Sequence, residues 1–172
     1  IMTCGAGGAL NVILKTILNP GDEVISPAPF FVEYRFYVDN AGGVLRDVRT
    51  NADFSLNPEA IEGAINEKTR AVLLNSPNNP TGKIYDEASL RGLADILDRS
   101  RKKYNRDIFL ISDEPYRDIV YDGKKAPSVF NAYPSSFIAT SYSKSLSIPG
   151  ERIGFIAVSY THLRAHETVL DL

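Results

Sequence analysis

The hydrophobic pattern divides the chain into short apolar runs and longer stretches whose apolar residues recur at helical spacing. The short runs, several of them continuously apolar, are typical of strands buried in a parallel sheet. They predict strands over residues 23–26, 44–48, 71–74, 107–111, 119–121, 137–140 and 153–158. The helical spacing predicts helices over residues 9–18, 30–40, 57–65 and 86–103. Strands that alternate with helices indicate an α/β fold, with a largely parallel sheet flanked by helices.

The predicted helix at residues 86–103 has a clear amphipathic pattern, which indicates one face packed on the sheet and one face in solvent. Its apolar stripe is predicted to comprise Ala88, Leu90, Leu93, Ala94, Ile96 and Leu97. The predicted helix at 57–65 has Pro58 near its start, a position where a helix tolerates the missing N–H group.

Two of the predicted strands run directly into segments rich in polar and turn-forming residues. Residues 75–82 (Asn-Ser-Pro-Asn-Asn-Pro-Thr-Gly) follow one buried strand, and residues 112–116 (Ser-Asp-Glu-Pro-Tyr) follow the next. Open α/β sheets bind ligands beyond the carboxyl ends of their strands. The combination of Asp113 with Tyr116 in such a loop indicates a functional site, although either residue alone is more often structural.

Residues 141–152 (Ser-Tyr-Ser-Lys-Ser-Leu-Ser-Ile-Pro-Gly-Glu-Arg) link two apolar runs and place Lys144 among small hydroxyl residues. A lysine held between buried strands can lose its proton and become the nucleophilic amine that Schiff-base chemistry requires. Arg152, an anion-binding residue nearby, suggests a phosphorylated carbonyl cofactor, and pyridoxal phosphate fits that description. This segment by itself is equally compatible with an ordinary solvent-exposed lysine.

Two segments nearer the N-terminus add weaker signals. Residues 3–8 (Thr-Cys-Gly-Ala-Gly-Gly) precede the first predicted helix, where glycines let backbone N–H groups approach an anion and the helix dipole favours phosphate. Phe30 and Phe31 follow a strand and could offer a ring face to a planar cofactor. Glycine clusters are common in loops and paired aromatic residues are more often core, so neither segment alone decides the function.

The composition limits the classes of protein to consider. The chain has 172 residues, of which 44% are hydrophobic, and a formal net charge of −2. These values suffice for one domain with a sizeable core, and they give no electrostatic case for binding nucleic acid or an anionic membrane. The single cysteine, Cys4, excludes an internal disulfide and suits a reducing compartment, so we expect a cytoplasmic protein without a signal peptide or membrane span.

The order and spacing of these segments resemble the class I/II aminotransferases, which are fold-type I pyridoxal-phosphate enzymes of amino acid metabolism. The matching segments are residues 5–8, 29–34, 75–82, 112–116 and 141–152. The resemblance implies that residues 1–159 form the central part of a large, cofactor-binding α/β domain, which is incomplete here. It also implies a homodimeric enzyme that transfers an amino group from an amino acid to a 2-oxo acid, and cis peptide bonds before Pro29 and Pro80.

The resemblance further implies the catalytic roles of individual residues. Lys144 forms a Schiff base with the cofactor and then moves a proton between the substrate α-carbon and cofactor atom C4′. Asp113 pairs with the pyridine nitrogen and keeps it protonated, so that the ring can absorb carbanion charge. Tyr116 and Asn79 donate hydrogen bonds to the phenolic oxygen of the ring.

The remaining cofactor contacts implied by the resemblance concern the ring face and the phosphate. Phe31 stacks on the ring. Ala6 and Gly7 donate backbone N–H groups to the phosphate, and Ser141 and Arg152 complete the phosphate site with a charge-assisted contact from the guanidinium. No metal ion takes part in this scheme.

Residues 160–172 depart from the family pattern and are expected to be a non-family tail, with a sequence artefact as one explanation. The family continues instead into a smaller C-terminal domain that brings the arginine for the substrate carboxylate. The chain is therefore expected to be a fragment, inactive in isolation, of a longer enzyme. His162 and His166 lie in this tail at i, i+4 spacing, but without a third ligand nearby a solvated helix face is favoured over a metal site.

Three alternatives remain open at this point. A carbon–sulfur β-lyase or a decarboxylase of the same fold type would use the same cofactor residues. An aminotransferase-like domain could instead sense the cofactor within a transcription regulator, which a DNA-binding segment upstream of Ile1 in the parent gene would favour. The chain could also be an inactive product, and a sharp two-state melt would count against that alternative.

Overall fold

The computed structural model describes residues 1–159, which form one mixed β-sheet flanked by helices. The strands are β1 (Met2–Cys4), β2 (Glu23–Ala28), β3 (Val44–Arg49), β4 (Thr69–Asn75), β5 (Phe109–Asp113), β6 (Ser136–Ser141) and β7 (Ile153–Val158). The α-helices are α1 (Gly5–Ile17), α2 (Tyr34–Asn40), α3 (Pro58–Ala64), α4 (Glu87–Tyr104) and α5 (Tyr142–Ser145). Short 3-10 helices cover Val129–Asn131 and Pro149–Glu151.

The strands of the described residues follow the order β1-β7-β6-β5-β4-β2-β3 across the sheet. Strands β2 to β6 run parallel to their neighbours among themselves, whereas β7 lies antiparallel to both β6 and β1. The predicted α/β fold with a largely parallel sheet is therefore confirmed. Because β4, β5 and β6 are parallel neighbours, their carboxyl ends meet at the same edge of the sheet, where α/β proteins bind ligands.

Strand β4 is buried on both faces, as its continuous apolar sequence predicts. Val72 and Leu74 belong to the apolar cluster that includes residues of α3 and α4. Ala71 and Leu73 belong to a second cluster that includes residues of α1 and α2. Successive side chains of a strand point to opposite faces, so one run of four residues contributes to the core on each side of the sheet.

Side-chain caps determine where α3 and α4 begin, and both helices lie close to their predicted bounds. The Asn57 side chain accepts a hydrogen bond from the Ala60 N–H group at 2.9 Å. The Asp86 side chain accepts one from the Ser89 N–H group at 2.8 Å. Each cap satisfies an N–H group that has no partner within its own helix.

The predicted apolar stripe of α4 is confirmed except at Ala88, which is exposed. The other members of the stripe are buried, namely Leu90, Leu93, Ala94, Ile96 and Leu97. Ala88 lies about two and a half helical turns before Leu97, so it faces the opposite side of the helix. The prediction that Ala88 belongs to the buried stripe was wrong, because the 3.6-residue period of the helix turns this residue away from the core.

Two helices begin at other residues than predicted, and one strand was not predicted. Strand β1 pairs only with β7, where Cys4 lies opposite Ile153, so its pairing leaves no local signal in the sequence. Helix α1 begins at Gly5, four residues earlier than predicted. Helix α2 begins at Tyr34 instead of residue 30, because the rings of Phe30 and Phe31 turn inward to pack on the Tyr34 ring.

The strand predicted at residues 119–121 was wrong. These residues form no ladder with any strand of the described chain. The preceding strand, β5, already has β4 on one side and β6 on the other, so no free edge is left beside it. Ile119 and Tyr121 are accordingly exposed.

Cis peptide bonds occur in the loops that follow β2 and β4. The bonds Ala28–Pro29 and Asn79–Pro80 are both cis, which confirms the expectation for these two prolines. A third cis bond, Ser76–Pro77, was not predicted.

The described residues contain neither a membrane-spanning helix nor a metal-binding group of side chains. None of the helices within residues 1–159 combines the length and apolar character needed to cross a membrane. The same residues hold no group of three or more His, Cys, Asp or Glu side chains that could bind a metal ion. His162 and His166 lie outside the described residues.

Candidate active site

The sheet register places the predicted site segments next to one another. Asn75 at the end of β4 pairs with Asp113 at the end of β5, and Asp113 pairs with Ala139 on β6. Strand β6 ends at Ser141, and α5 carries Lys144 three residues later. The loops that follow these three strands therefore begin side by side, as expected for a ligand site of an α/β sheet.

A cavity of about 330 Å³ lies at this edge of the sheet. Every residue that the sequence nominated for the site lines it: Ala6, Gly7, Phe31, Asn79, Asp113, Tyr116, Ser141, Lys144 and Arg152. The structure thus brings together residues from five separate segments, while their individual roles stay predictions. A neighbouring cavity of about 420 Å³ shares Asn79 and Tyr116 with the first.

The Asp113 carboxyl group lies in the wall of this cavity and is only 5% exposed. Its Oδ2 atom accepts a hydrogen bond from the Tyr34 hydroxyl at 2.5 Å. Its Oδ1 atom is buried and has no hydrogen-bond partner among the described residues. Burial, opposed by the Tyr34 hydrogen bond and assisted by the charge of Glu114, raises the pKa of Asp113 to about 7. A buried acceptor without a partner is unusual in a native protein and indicates a missing donor.

The loop that carries Asn79 is anchored to the end of β4. The Asn79 N–H group donates to Asn75 Oδ1 at 2.6 Å, and Asn75 Nδ2 donates to the Asp113 carbonyl oxygen at 2.8 Å. The Asn75 side chain thus ties the loop to the strand end that carries the buried carboxyl group. This connection leaves the Asn79 side chain at the cavity wall.

Tyr116 lies on a turn that Glu114 holds in place. The Glu114 carboxylate accepts hydrogen bonds from Ser112 Oγ at 2.8 Å and from Arg117 Nη1 at 2.6 Å. The Thr140 hydroxyl donates to the Glu114 carbonyl oxygen at 2.9 Å. Burial raises the pKa of Glu114, although its contact with Arg117 opposes that shift. A buried carboxylate fixed on several sides makes this turn a rigid support for Tyr116.

Lys144 lies on α5, and its side chain is exposed. Its Nζ atom lies 5.9 Å from the centre of the Tyr116 ring, across the mouth of the cavity. The sequence left two alternatives open, a lysine held between buried strands and a solvent-exposed lysine, and in the structure the Lys144 side chain is exposed. The amine is therefore accessible to a ligand that enters the cavity.

Arg152 and the first turn of α1 form an anion-binding corner. A Cβ atom on Gly5 would come within 2.9 Å of Arg152 Nη2, so only glycine permits this close approach. Gly5 also has a φ of +68°, a conformation that glycine adopts without strain. Arg152 Nη1 donates to the Pro149 carbonyl oxygen at 3.2 Å, which orients the guanidinium. A guanidinium beside the unpaired N–H groups of a helix start favours a phosphate group.

Phe31 contributes both to the cavity wall and to the core. Its ring meets the Tyr34 ring edge-on, with centroids 5.8 Å apart and planes at 81°. It is half-buried and packs against the apolar cluster that includes α1 and α2. The sequence left core packing and ring stacking as alternatives for this residue, and its position is compatible with both.

Several cavity residues were not nominated from the sequence. The most informative are Glu33, Tyr37 and Asn75. Tyr34, which was not nominated either, acts on the site through its hydrogen bond to Asp113. The spacing of Phe31, Tyr34 and Tyr37 marks one side of a helical turn and could have identified the two tyrosines. Asn75 opens the Asn-Ser-Pro loop, but its role depends on the sheet register, which the sequence does not show.

Comparison with known proteins identifies the family. The family model for aminotransferase class I and II matches residues 1–170. The chain belongs to this family. The resemblance drawn from the sequence motifs is thereby confirmed.

The aminotransferase chain is similar to several named relatives and solved structures. It is 37% identical to a probable aspartate aminotransferase of Methanocaldococcus jannaschii, over 92% of this chain and 40% of the relative. It is 37% identical to the aspartate aminotransferase of Bacillus subtilis, over 98% of this chain and 44% of the relative. Among solved structures, an amino transferase from Eubacterium rectale is 44% identical with a TM-score of 0.91, covering 92% of this chain and 40% of that one. The chain therefore spans about 40% of the length of such relatives.

Aminotransferases of this family depend on pyridoxal phosphate. The residues of the cavity fit this group on two independent observations. The unpartnered Asp113 Oδ1 atom supplies the acceptor that a protonated ring nitrogen requires. The close approach of Arg152 to Gly5 places a guanidinium at the start of α1, where a positive charge and unpaired backbone N–H groups favour a phosphate.

Proposed function

We propose that this chain is the cofactor-binding part of a pyridoxal-phosphate-dependent aminotransferase, which transfers an amino group from an amino acid to a 2-oxo acid. One observation carries the proposal. Asp113, whose Oδ1 atom is buried and unpartnered, lines the same cavity as Lys144 and Arg152. The three functional parts of the cofactor are its ring nitrogen, its carbonyl group and its phosphate. They match, in that order, an acceptor for a ring N–H, an amine and an anion-binding group.

Pyridoxal phosphate, when bound, supplies a cationic ring that absorbs the negative charge left on the substrate α-carbon after proton loss. Asp113 holds the ring nitrogen protonated, because its Oδ1 atom accepts the N–H group inside a water-poor pocket. The Tyr34 hydroxyl holds the other carboxylate oxygen and so orients the acceptor. Burial of Tyr34 raises its pKa well above the usual range, so it remains a donor.

Lys144 provides the amine that attaches the cofactor and, once a substrate amine has displaced it, the base at the α-carbon. Its exposed Nζ atom is accessible from the cavity mouth. Tyr116 and Asn79 donate to the phenolic oxygen of the ring, and both line the cavity on the side facing the loops that follow β4 and β5. Phe31, which also lines the cavity, contributes a ring face.

The phosphate group is held by residues that take no part in proton transfer. Ala6 and Gly7 lie in the first turn of α1, where backbone N–H groups have no partner within the helix. Arg152 contributes the positive charge, and Ser141 contributes a hydroxyl at the end of β6. A firmly held phosphate anchors the cofactor while its carbonyl end reacts.

The substrates, assembly and location belong to the same proposal. The relatives named aspartate aminotransferase make aspartate and 2-oxoglutarate the first substrate pair to test. We further propose that the intact enzyme is a homodimer in the cytoplasm and that residues 1–159 are the central part of its large domain. The isolated chain is expected to be inactive.

The first experiment adds pyridoxal phosphate to the purified chain and records its visible absorption spectrum. Borohydride reduction then fixes the bound cofactor, and peptide mapping locates it. We expect a visible band and a single label on Lys144, both lost in Lys144→Ala. A label spread over surface lysines, or a band that survives in Lys144→Ala, would contradict the proposed site.

A second experiment separates amino transfer from the related lyase reaction. The full-length parent enzyme is incubated with 2-oxoglutarate and, in separate reactions, with aspartate or with an amino acid that carries a thiolate leaving group on its β-carbon, and the products are identified. An aminotransferase forms glutamate, whereas a lyase would release ammonia and pyruvate from a substrate with a β-leaving group. Ammonia release without glutamate would favour the lyase.

A further inference from the structure

Tyr37 lies against the turn that is proposed to bind phosphate, although it belongs to a different helix. A Cβ atom on Gly7 would come within 2.9 Å of the Tyr37 hydroxyl oxygen. Helix α2 thus places a phenol directly over the first turn of α1. Tyr37 also lines the cavity that holds Ala6, Ser141 and Arg152.

The Tyr37 hydroxyl has one hydrogen-bond partner among the described contacts, and this partner also lines the cavity. It donates to the Glu33 carboxylate, one helical turn earlier. Glu33 is exposed, so the partner is a solvated group and not part of the core. Burial, followed by the hydrogen bond to Glu33, raises the pKa of Tyr37. The phenol therefore remains protonated and available as a donor near neutral pH.

We propose that the Tyr37 hydroxyl is a further ligand of the cofactor phosphate and that Glu33 holds this hydroxyl only until the phosphate binds; this inference rests on the proposed function. A phosphate held by the N–H groups of Ala6 and Gly7 must lie against the Gly7 backbone. The Tyr37 hydroxyl already lies there. An O–H group can rotate from one acceptor to another, and a phosphate dianion is a strong acceptor.

Charge gives Glu33 and Tyr37 opposite effects on the same ligand. The Tyr37 hydroxyl attracts the phosphate as a donor, whereas the Glu33 carboxylate repels it and competes for the hydroxyl. Arg152, which acts on the charge of Tyr37, supplies the positive charge that makes the corner favourable for an anion overall. If the Tyr37–Glu33 pair had a purely structural role, substitutions of the two residues would not change the affinity for phosphate in opposite directions.

The test compares pyridoxal phosphate with pyridoxal, which has the same ring and carbonyl but no phosphate. Dissociation constants of both are measured by absorption titration of the 172-residue chain and its variants. Tyr37→Phe is expected to weaken pyridoxal phosphate about tenfold, the effect of losing one hydrogen bond to a charged group, and to leave pyridoxal unchanged. Glu33→Gln is expected to tighten pyridoxal phosphate by roughly two- to fivefold and to leave pyridoxal unchanged.

Tyr104→Phe is the matched control, because it removes a hydroxyl that donates to the Ile65 carbonyl oxygen at 3.2 Å on the other face of the sheet. It should change neither constant. Equal weakening of both ligands by Tyr37→Phe, or weakening of pyridoxal phosphate by Glu33→Gln, would overturn the proposal even if Tyr37→Phe folds poorly. If the unaltered chain takes up no cofactor at Lys144, the proposed function fails and this inference fails with it. If it does, and Tyr37→Phe has no effect, the inference alone fails.

Discussion

The Tyr34 hydroxyl donates to Asp113 Oδ2 at 2.5 Å, although 79 residues separate the two in sequence. Both side chains are buried, and they belong to different elements, α2 and β5. The bond occupies one carboxylate oxygen and leaves the other buried without a partner among the described residues. Tyr34 therefore controls both the direction and the charge of the group that is proposed to hold the ring nitrogen.

Tyr34→Phe should shift the pH profile of cofactor binding to higher pH. The Tyr34 hydrogen bond lowers the pKa of Asp113, so its loss raises that pKa above about 7. A protonated Asp113 cannot accept the ring N–H, and affinity for pyridoxal phosphate should then decline at a higher pH than in the unaltered chain. Dissociation constants measured between about pH 5.5 and 9 test this. An unchanged profile would show that the hydroxyl does not act on Asp113.

Glu114→Gln should shift the same profile downward. The charge of Glu114 raises the pKa of Asp113, and glutamine removes this charge while it can still accept from Ser112 Oγ. Asp113 then stays ionised to a lower pH, so binding should persist at more acidic pH. Tyr34→Phe and Glu114→Gln are expected to shift the pH profile of cofactor binding in opposite directions, so each variant is a control for the other. Shifts in the same direction would contradict this account of the Asp113 charge.

Asp113→Asn should stabilise the cofactor-free chain at alkaline pH while it abolishes tight cofactor binding. The pKa of Asp113 is about 7 in the folded chain against 3.8 as the reference value, so the folded state binds the proton more tightly. Stability contributed by that proton is full below about pH 4 and is lost as the pH rises through 7. Asparagine removes this loss, a gain on the order of 4 kcal/mol at most at pH 8.

Urea unfolding at pH 4, 6 and 8 measures this effect. The stability difference between Asp113→Asn and the unaltered chain should grow with pH. A difference for Asp113→Asn that is the same at all three values would argue against the raised pKa.

Gly5→Ala and Gly92→Ala should have opposite effects on stability. Gly5 has a φ of +68°, and its Cβ atom would approach Arg152 Nη2 to 2.9 Å. We expect a loss of about 1–3 kcal/mol in the free energy of unfolding, together with weaker binding of pyridoxal phosphate. Gly92 lies within α4, where an added Cβ would meet nothing within 4 Å, so alanine should stabilise by about 1 kcal/mol.

Denaturant unfolding of both glycine variants, with cofactor titration of each, checks this pair of expectations. Gly92→Ala should leave cofactor affinity unchanged, since α4 does not line the cavity. If Gly5→Ala bound pyridoxal phosphate as tightly as the unaltered chain, the anion-binding corner would not depend on the approach of Arg152 to α1.

Local sequence patterns were sufficient for the elements whose structure depends on short-range interactions. The strand at 71–74 was predictable because a continuous apolar run suits a strand buried on both faces. The start of α4 was predictable because Asp86 caps its first turn. Ala88 was mispredicted because a weakly apolar residue was placed in the stripe without regard to its angle around the helix.

The sequence by itself determined the family and nine of the residues that line the site, because the motifs around Asn79, Asp113 and Lys144 follow strand ends in a characteristic order. Only the tertiary structure decided how those residues meet. The hydrogen bond of Tyr34 to Asp113 and the approach of Tyr37 to Gly7 depend on how α2 packs across the sheet. Such contacts join residues far apart in the chain, and no local pattern records them, because they arise from the relative placement of elements and not from the conformational preference of any one segment.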